Sequence, residues 1–199
     1  MKPWLILGNG PSMALAIGRD LSKYVVLGIN RAYQAVKCDY LIFIDREIVE
    51  MHGEDLVSLD CPVWCPEEFA IAPRCPVPDK FHRLKRNMQP QNALGESWQE
   101  GLYFSGCQPM AAVNFAYLMG AREIVLLGVD LLSDDRWDGS KSTSCYFNHM
   151  IIPDLETAAN HMKSKGIRCL NASPASAVVG WEMTELDGRQ TQKNNGSCS

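Results

Sequence analysis

A glycine-rich turn, Gly8-Asn9-Gly10-Pro11-Ser12, follows directly on the apolar run Trp4-Leu5-Ile6-Leu7, and this junction limits the fold more than any other stretch of the chain. Four apolar residues without a polar interruption suit a strand buried on both faces, as in a parallel sheet covered by helices. The glycines permit a tight turn and close approach of a ligand to the main chain. The helix expected over 12–21 would then offer unpaired N–H groups and a positive dipole end to an anion. The same residues also suit a plain strand-to-helix turn with Ser12 as its cap.

The dinucleotide fingerprint requires a third glycine where this chain has Met13, and an acid after the second strand where it has Asn30, so NAD is disfavoured. No Lys-Ser/Thr pair follows the glycines, which excludes a P-loop in its usual form. Asn9 and Ser12 remain as short polar side chains able to bond a ribose, a base or a phosphate.

Strands read at 4–7, 24–28, 40–44, 62–65, 123–127 and 167–170, and helical patterns at 12–21, 32–36, 46–52, 106–119 and 153–165. This alternation gives an α/β fold: Rossmann-like, doubly wound, with a mainly parallel sheet of about six strands and helices on both faces. Residues 1–188 read as one nucleotide-binding domain with a long lid-like insertion at 66–104. A second irregular segment, 131–148, is expected over the same sheet edge, and the polar tail 189–199 is expected to be disordered. Ligands of such sheets bind at the carboxyl ends of the strands, where Asp45 and Asp130 also fall.

The 199 residues carry 19 Lys and Arg against 23 Asp and Glu, a net charge of −4, which gives no bulk attraction to nucleic acid or anionic membrane. The basic run His82-Arg83-Leu84-Lys85-Arg86 reads as a solvated loop or helix face. No apolar stretch reaches the ~18 residues of a membrane span, and the chain enters a strand at once, so no signal peptide or integral membrane segment is expected and the reading is cytoplasmic. The eight cysteines read as reduced core thiols. The spacing of Cys61, Cys65, Cys75 and His82 matches no common zinc knuckle.

Several separated motifs occur in a telling order: Ile6-Leu7-Gly8-Asn9-Gly10-Pro11-Ser12, Asn30, Ser105-Gly106, the run from Gly120 to Asp130, Tyr146 with His149, and Cys169-Leu170-Asn171-Ala172-Ser173. Together they resemble the small bacterial lipooligosaccharide sialyltransferases and a wider related group of uncharacterised and archaeal pterin diphosphokinase-like proteins. The resemblance runs over roughly residues 4–180. It implies that the glycine turn (Gly8, Asn9, Gly10, Ser12), Asn30, Ser105 and Gly106 hold the cytidine monophosphate part of a donor sugar, with Asp45, Asp130, Asn171 and Ser173 in the same nucleotide site. It further implies Tyr146 at the departing phosphate and His149 as general base toward an acceptor hydroxyl.

The chain departs from the sialyltransferases at two places. No Arg precedes Ser105, where Gly101-Leu102-Tyr103-Phe104 stand, and Asp45 replaces an Asn. The tail 189–199 does not resemble the basic C-terminal extension of those enzymes, so membrane association by that route is not expected. The leading expectation is an inverting, metal-independent glycosyltransferase of lipopolysaccharide biosynthesis that uses a CMP-sugar-like donor and a glycan or small-molecule acceptor, requires no cofactor, and is compatible with a homo-oligomer. The alternative is a diphosphokinase-like enzyme using ATP and a small hydroxymethyl acceptor, with Mg²⁺ held by Asp45 and Asp130. A third reading is a nucleotide-binding module without chemistry of its own.

Overall fold

Trp4 and Ile6 of the first strand pack with one buried cluster and Leu5 and Leu7 with another, the alternation that a strand covered on both faces requires. The computed structural model describes residues 1–71, 78–87, 93–104, 107–141 and 148–186, with backbone alone for 70, 71 and 148–150. Its main sheet has eight strands: β1 (Trp4–Leu7), β2 (Val25–Ile29), β3 (Tyr40–Ile42), β4 (Val63–Pro66), β5 (His82–Leu84), β8 (Glu123–Leu127), β9 (Arg168–Asn171) and β10 (Glu182–Met183). A separate pair joins β6 (Arg86–Asn87) to β7 (Leu102–Tyr103). The sheet order is β10-β9-β8-β1-β2-β3-β4-β5, and every pairing is parallel. The doubly wound α/β class expected from the sequence is therefore present, with eight strands in place of about six.

Helix α1 (Glu47–Ser58) packs Ile48, Val49 and Leu56 with Leu41 and Phe43 in a cluster next to β3 and β4. Helices α2 (Gln108–Leu118) and α3 (Asn148–Ser164) share the cluster that holds Trp4, Ile6, Leu27, Ile124 and Leu126. Residues 110–116 of α2 are all buried, Asn114 among them. Such a helix has no solvent stripe because the sheet, α3 and the 93–104 segment enclose it. At its centre Phe115 meets the edges of Trp4 and Trp64, with ring centroids 6.1 and 5.1 Å away.

Of the strands beyond the six expected, β5, β6 and β7 come from the insertion and β10 from the chain after β9. β5 extends the sheet beyond β4, while Ala93, Leu94, Leu102 and Phe104 join the main core. Asn114, fully buried, fixes this segment: its Oδ1 accepts from Gly95 N and Tyr103 N, each at 2.8 Å, and its Nδ2 donates to Gly95 O at 2.9 Å. The described parts of the segment thus contribute to the core and to the sheet edge. Short runs such as His82–Leu84 carry too little periodicity to be read as strands, and pairing with β4 makes them so.

The basic run is likewise a strand and its flank. Arg83 donates to the Cys65 sulfur at 3.0 Å, Lys85 to Gln99 O at 2.7 Å, and the Arg86 guanidinium lies over the Phe104 ring. Cys38, Cys65, Cys107 and Cys169 are buried free thiols, and burial pushes Cys38 up to about 12 and Cys169 to about 11. Cys75, Cys145, Cys198 and the 189–199 tail lie outside the described residues. No helix among the described residues is long and apolar enough to cross a membrane.

Candidate functional site

The strand order reverses at β1, because β2, β3 and β4 follow on one side while β8 and β9 lie on the other. Connections leave such a point in opposite directions and open a crevice at the carboxyl edge. Gly8–Ser12 after β1 and Gly128–Asp130 after β8 both lie there.

The two loops are tied together. Gly8 N donates to Leu127 O at 2.8 Å and Gly10 N to Gly128 O at 2.7 Å. A Cβ on Gly8 would stand 2.3 Å from Gly128 O, and one on Gly10 2.3 Å from Asp130 Oδ2. The glycines thus allow the β8 loop to approach, and two of the turn's amides are committed to its carbonyls. Ser12 N donates to Asp130 Oδ2 at 3.0 Å, and Ser12 Oγ accepts from Gly128 N at 3.0 Å.

The expected helix over 12–21 is a correction. Only a 3-10 turn, Pro11–Ala16, forms, because Ile17 is already extended at ψ 127°. Gly10 is its cap, without a side-chain bond, so Ser12 does not serve in that role. No long helix places a dipole at the turn.

The other site residues gather at the same edge. Asn30 follows β2 in the left-handed region at φ 52°, where Asn is tolerated better than most side chains. Its amide donates to Ile42 O at 3.1 Å. Ser173 Oγ accepts from Gly128 N at 3.1 Å, and Ser173 N donates to Asn171 Oδ1 at 3.0 Å; both residues are fully buried. Asp45, beyond β3, accepts from Gln108 Nε2 at 2.5 Å.

Among the described residues several buried polar atoms here have no hydrogen-bond partner: Asn9 Oδ1, Asn30 Oδ1, Gln108 Oε1, Asp130 Oδ1, Trp137 Nε1 and Asn171 Nδ2. Buried polar groups are nearly always satisfied, so a concentration of orphans at a sheet's ligand edge calls for an external partner. Asn9 is oriented by its own bond, Nδ2 to Ile29 O at 3.3 Å, which leaves Oδ1 as the open acceptor.

Sequence reading missed four residues of this edge: Gln108, Arg31, Arg136 and Trp137. Arg31 stands beside Asn30, and its Nη2 contacts Asp138 Oδ2 at 3.0 Å and Ser140 Oγ at 2.8 Å. Trp137 N donates to Asn9 O at 3.1 Å, which docks the 131–141 segment on the glycine turn. Burial, then the neighbouring Arg31 charge, lowers Arg136 against the pull of Asp138, Asp45 and Glu47. Leu131 enters the segment at φ 57°, a strained value of the sort found at functional loops. The adjacency of Arg31 to Asn30, and an Arg-Trp pair within an irregular segment, were the available signals.

Ser105, Gly106 and Tyr146 lie outside the described residues. His149 falls in the first turn of α3, its side chain undescribed. Because β8 ends at the carboxyl edge and α3 leads back to the start of parallel β9, the first turn of α3 begins at that edge. The other histidines differ from one another: His52 Nε2 is buried, His82 stacks on Trp64 at 4.4 Å, and His161 contacts Glu96 at 2.6 Å.

Asp45 and Asp130, the pair that would hold Mg²⁺ in the phosphotransfer alternative, each have one oxygen bonded to a protein donor, Gln108 Nε2 and Ser12 N. Among the described residues no group of three or more His, Cys, Asp or Glu side chains is placed to hold a metal ion.

No family model and no curated protein matches the chain. Among solved structures the chain is similar to the sialyltransferase CstII from Campylobacter jejuni, determined in complex with the substrate analogue CMP-3FNeuAc. The match covers 98% of this chain and 92% of that one, with a TM-score of 0.51 and 15% sequence identity. The likeness establishes a shared sialyltransferase-like fold.

Proposed function

We propose that the chain is a glycosyltransferase of sialyltransferase type, transferring a sugar from a CMP-sugar-like donor to a hydroxyl of a glycan acceptor with inversion and without a metal. The observation that carries this reading is the concentration of unpartnered buried polar atoms at the switch point, on Asn9, Asn30, Gln108 and Asp130. A nucleoside with hydroxyl and amino groups suits acceptors, while Arg31 and Arg136 supply positive charge for a phosphate where the expected Arg before Ser105 is missing. The likeness to a sialyltransferase that holds a CMP-sugar analogue supports the same assignment.

In this reading the acceptor hydroxyl attacks the anomeric carbon opposite the phosphate. His149 takes the hydroxyl proton, the bond to the phosphate oxygen breaks, and CMP leaves with its charge met by Tyr146 and the arginines. The amide donors already bound to Asp45 and Asp130 weigh against a magnesium-dependent pyrophosphoryl transfer.

A thermal-shift panel of CMP, CMP-sugars and ATP, each with and without Mg²⁺, tests the reading. A ligand at about 100 times its Kd adds ~2.7 kcal/mol of stability. Stabilisation by CMP that survives chelation, joined to sugar transfer from a CMP-sugar, is expected. Stabilisation by ATP only with Mg²⁺ would replace this reading with the phosphotransfer one.

A further inference from the structure

Gln108 opens α2 at 8% exposure, donates Nε2 to Asp45 Oδ2 at 2.5 Å, and keeps Oε1 buried with no partner among the described residues. A carboxylate only accepts, so turning the amide over would set two acceptors against each other. Asp45 therefore decides which end of the amide is bound to protein and which is left open. Asn9 is fixed in the same sense, by donation to Ile29 O. Two side-chain amides at one edge thus both present a buried oxygen, and a buried acceptor costs free energy unless something donates to it.

We infer that Gln108 is a specificity-determining residue of this site, held by Asp45 as a positioning residue, and that it accepts from an amino or hydroxyl group of the ligand. A ligand bringing an acceptor to that point meets oxygen with oxygen and is rejected, so discrimination arises from repulsion as well as attraction. The inference rests on the nucleotide-sugar reading and assigns part of its selectivity. It also gives Asp45 a role that requires no cation.

Equilibrium binding to the full chain separates the sources of the donor group. The probes are CMP, UMP, deoxycytidine monophosphate and the CMP-3FNeuAc analogue. Preference for CMP over UMP reads a base amino group, CMP over its deoxy form a ribose hydroxyl, and the analogue over CMP a sugar hydroxyl. In Gln108→Met, which keeps the length and removes the acceptor, one of these ratios should collapse by roughly tenfold. The exchanged pair Asp45→Asn with Gln108→Glu keeps the net charge, the bond and an acceptor, and should restore that ratio.

Equal weakening of all four ligands, no change in any ratio, or a folded exchanged pair that fails to restore the ratio would each overturn the inference. If Gln108→Met does not fold, Asp45→Asn takes its place, since an asparagine there can meet either end of the Gln108 amide: loss of one ratio that returns in the exchanged pair supports the inference, and no loss, or no return, overturns it. A wild-type chain that binds none of the four overturns the nucleotide reading and this inference together, an outcome distinct from binding with unchanged ratios.

Discussion

The amide of Ser12 donates to the carboxylate of Asp130 at 3.0 Å across 118 positions of sequence, joining the turn after β1 to the loop after β8. Gly10 lies beneath this bond. Its backbone is in an ordinary extended conformation at φ −69°, so alanine is excluded by space and not by dihedral strain. Gly10→Ala, with its new methyl group against the Asp130 carboxylate and Gly128 O, should destabilise the fold by about 1–3 kcal/mol, the usual cost of overpacking. Gly8→Ala meets backbone directly and should be at least as severe. Gly18→Ala has open space around its Cβ and only a left-handed φ of 73° to resist it, so it should cost less. Chemical denaturation of the three variants checks this order.

Burial lowers the pKa of Arg136, and its cationic neighbour Arg31 adds to this against the pull of Asp138, Asp45 and Glu47. Holding two guanidinium groups at one edge costs the free protein stability, and an anion reverses that cost. Arg136→Ala should leave Tm without ligand unchanged or raised, weaken CMP by about tenfold or more, as loss of a charged hydrogen bond does, and leave cytidine unaffected. Arg136→Lys keeps the charge without the fork and should fall between. Calorimetric titration with CMP and cytidine decides; equal loss of both ligands would remove phosphate from the role assigned to Arg136.

The parts of the fold legible in the sequence were those whose signal is local. Trp4–Leu7 and Glu123–Leu127 have the expected bounds because uninterrupted apolar runs define them. β5, β6, β7 and β10 were not legible, since strands of two or three residues depend on partners supplied by tertiary structure. The 3-10 turn at Pro11–Ala16 is a similar case: the sequence reads as a helix entrance, but bonds from Ser12 to Gly128 and Asp130 prevail over propensity. At the site, Asn9, Asn30 and Asp130 could be named from motif order. Gln108 could not, because its meaning lies in the bond to Asp45.

Glu96 joins the 93–104 segment to α2 and α3, with Oε1 2.6 Å from His161 Nε2, and Oε2 2.6 Å from Lys165 Nζ and 2.5 Å from Tyr117 OH. Burial alone would raise its carboxyl, but hydrogen bonds from Lys165 and Tyr117 and the Lys165 and His161 charges lower it below the ordinary 4.5. A depressed carboxyl contributes stability above its unfolded pKa and loses it as pH falls through the folded one. Glu96→Gln should therefore be less stable than wild type at pH 7, with the gap narrowing as pH drops below 4.5. Tm measured across acid pH tests this; a constant gap would show that the charge of Glu96 contributes nothing.

His149 stands in the first turn of α3, and the crossover from β8 to β9 brings that turn to the carboxyl edge with Asn9 and Asp130. In the role proposed for it His149 acts on the acceptor hydroxyl and not on the nucleotide, so binding and turnover should separate. His149→Ala should lower kcat by about 10²–10⁴, the usual contribution of a positioned base, with CMP affinity nearly unchanged. The wild-type rate should rise with pH through the imidazole titration, since only the neutral ring accepts a proton, and that limb should vanish in the variant. Single-turnover transfer from a CMP-sugar, alongside CMP binding, measures both. Equal loss of affinity and rate would make His149 a structural residue and move the search for the base elsewhere along the crevice.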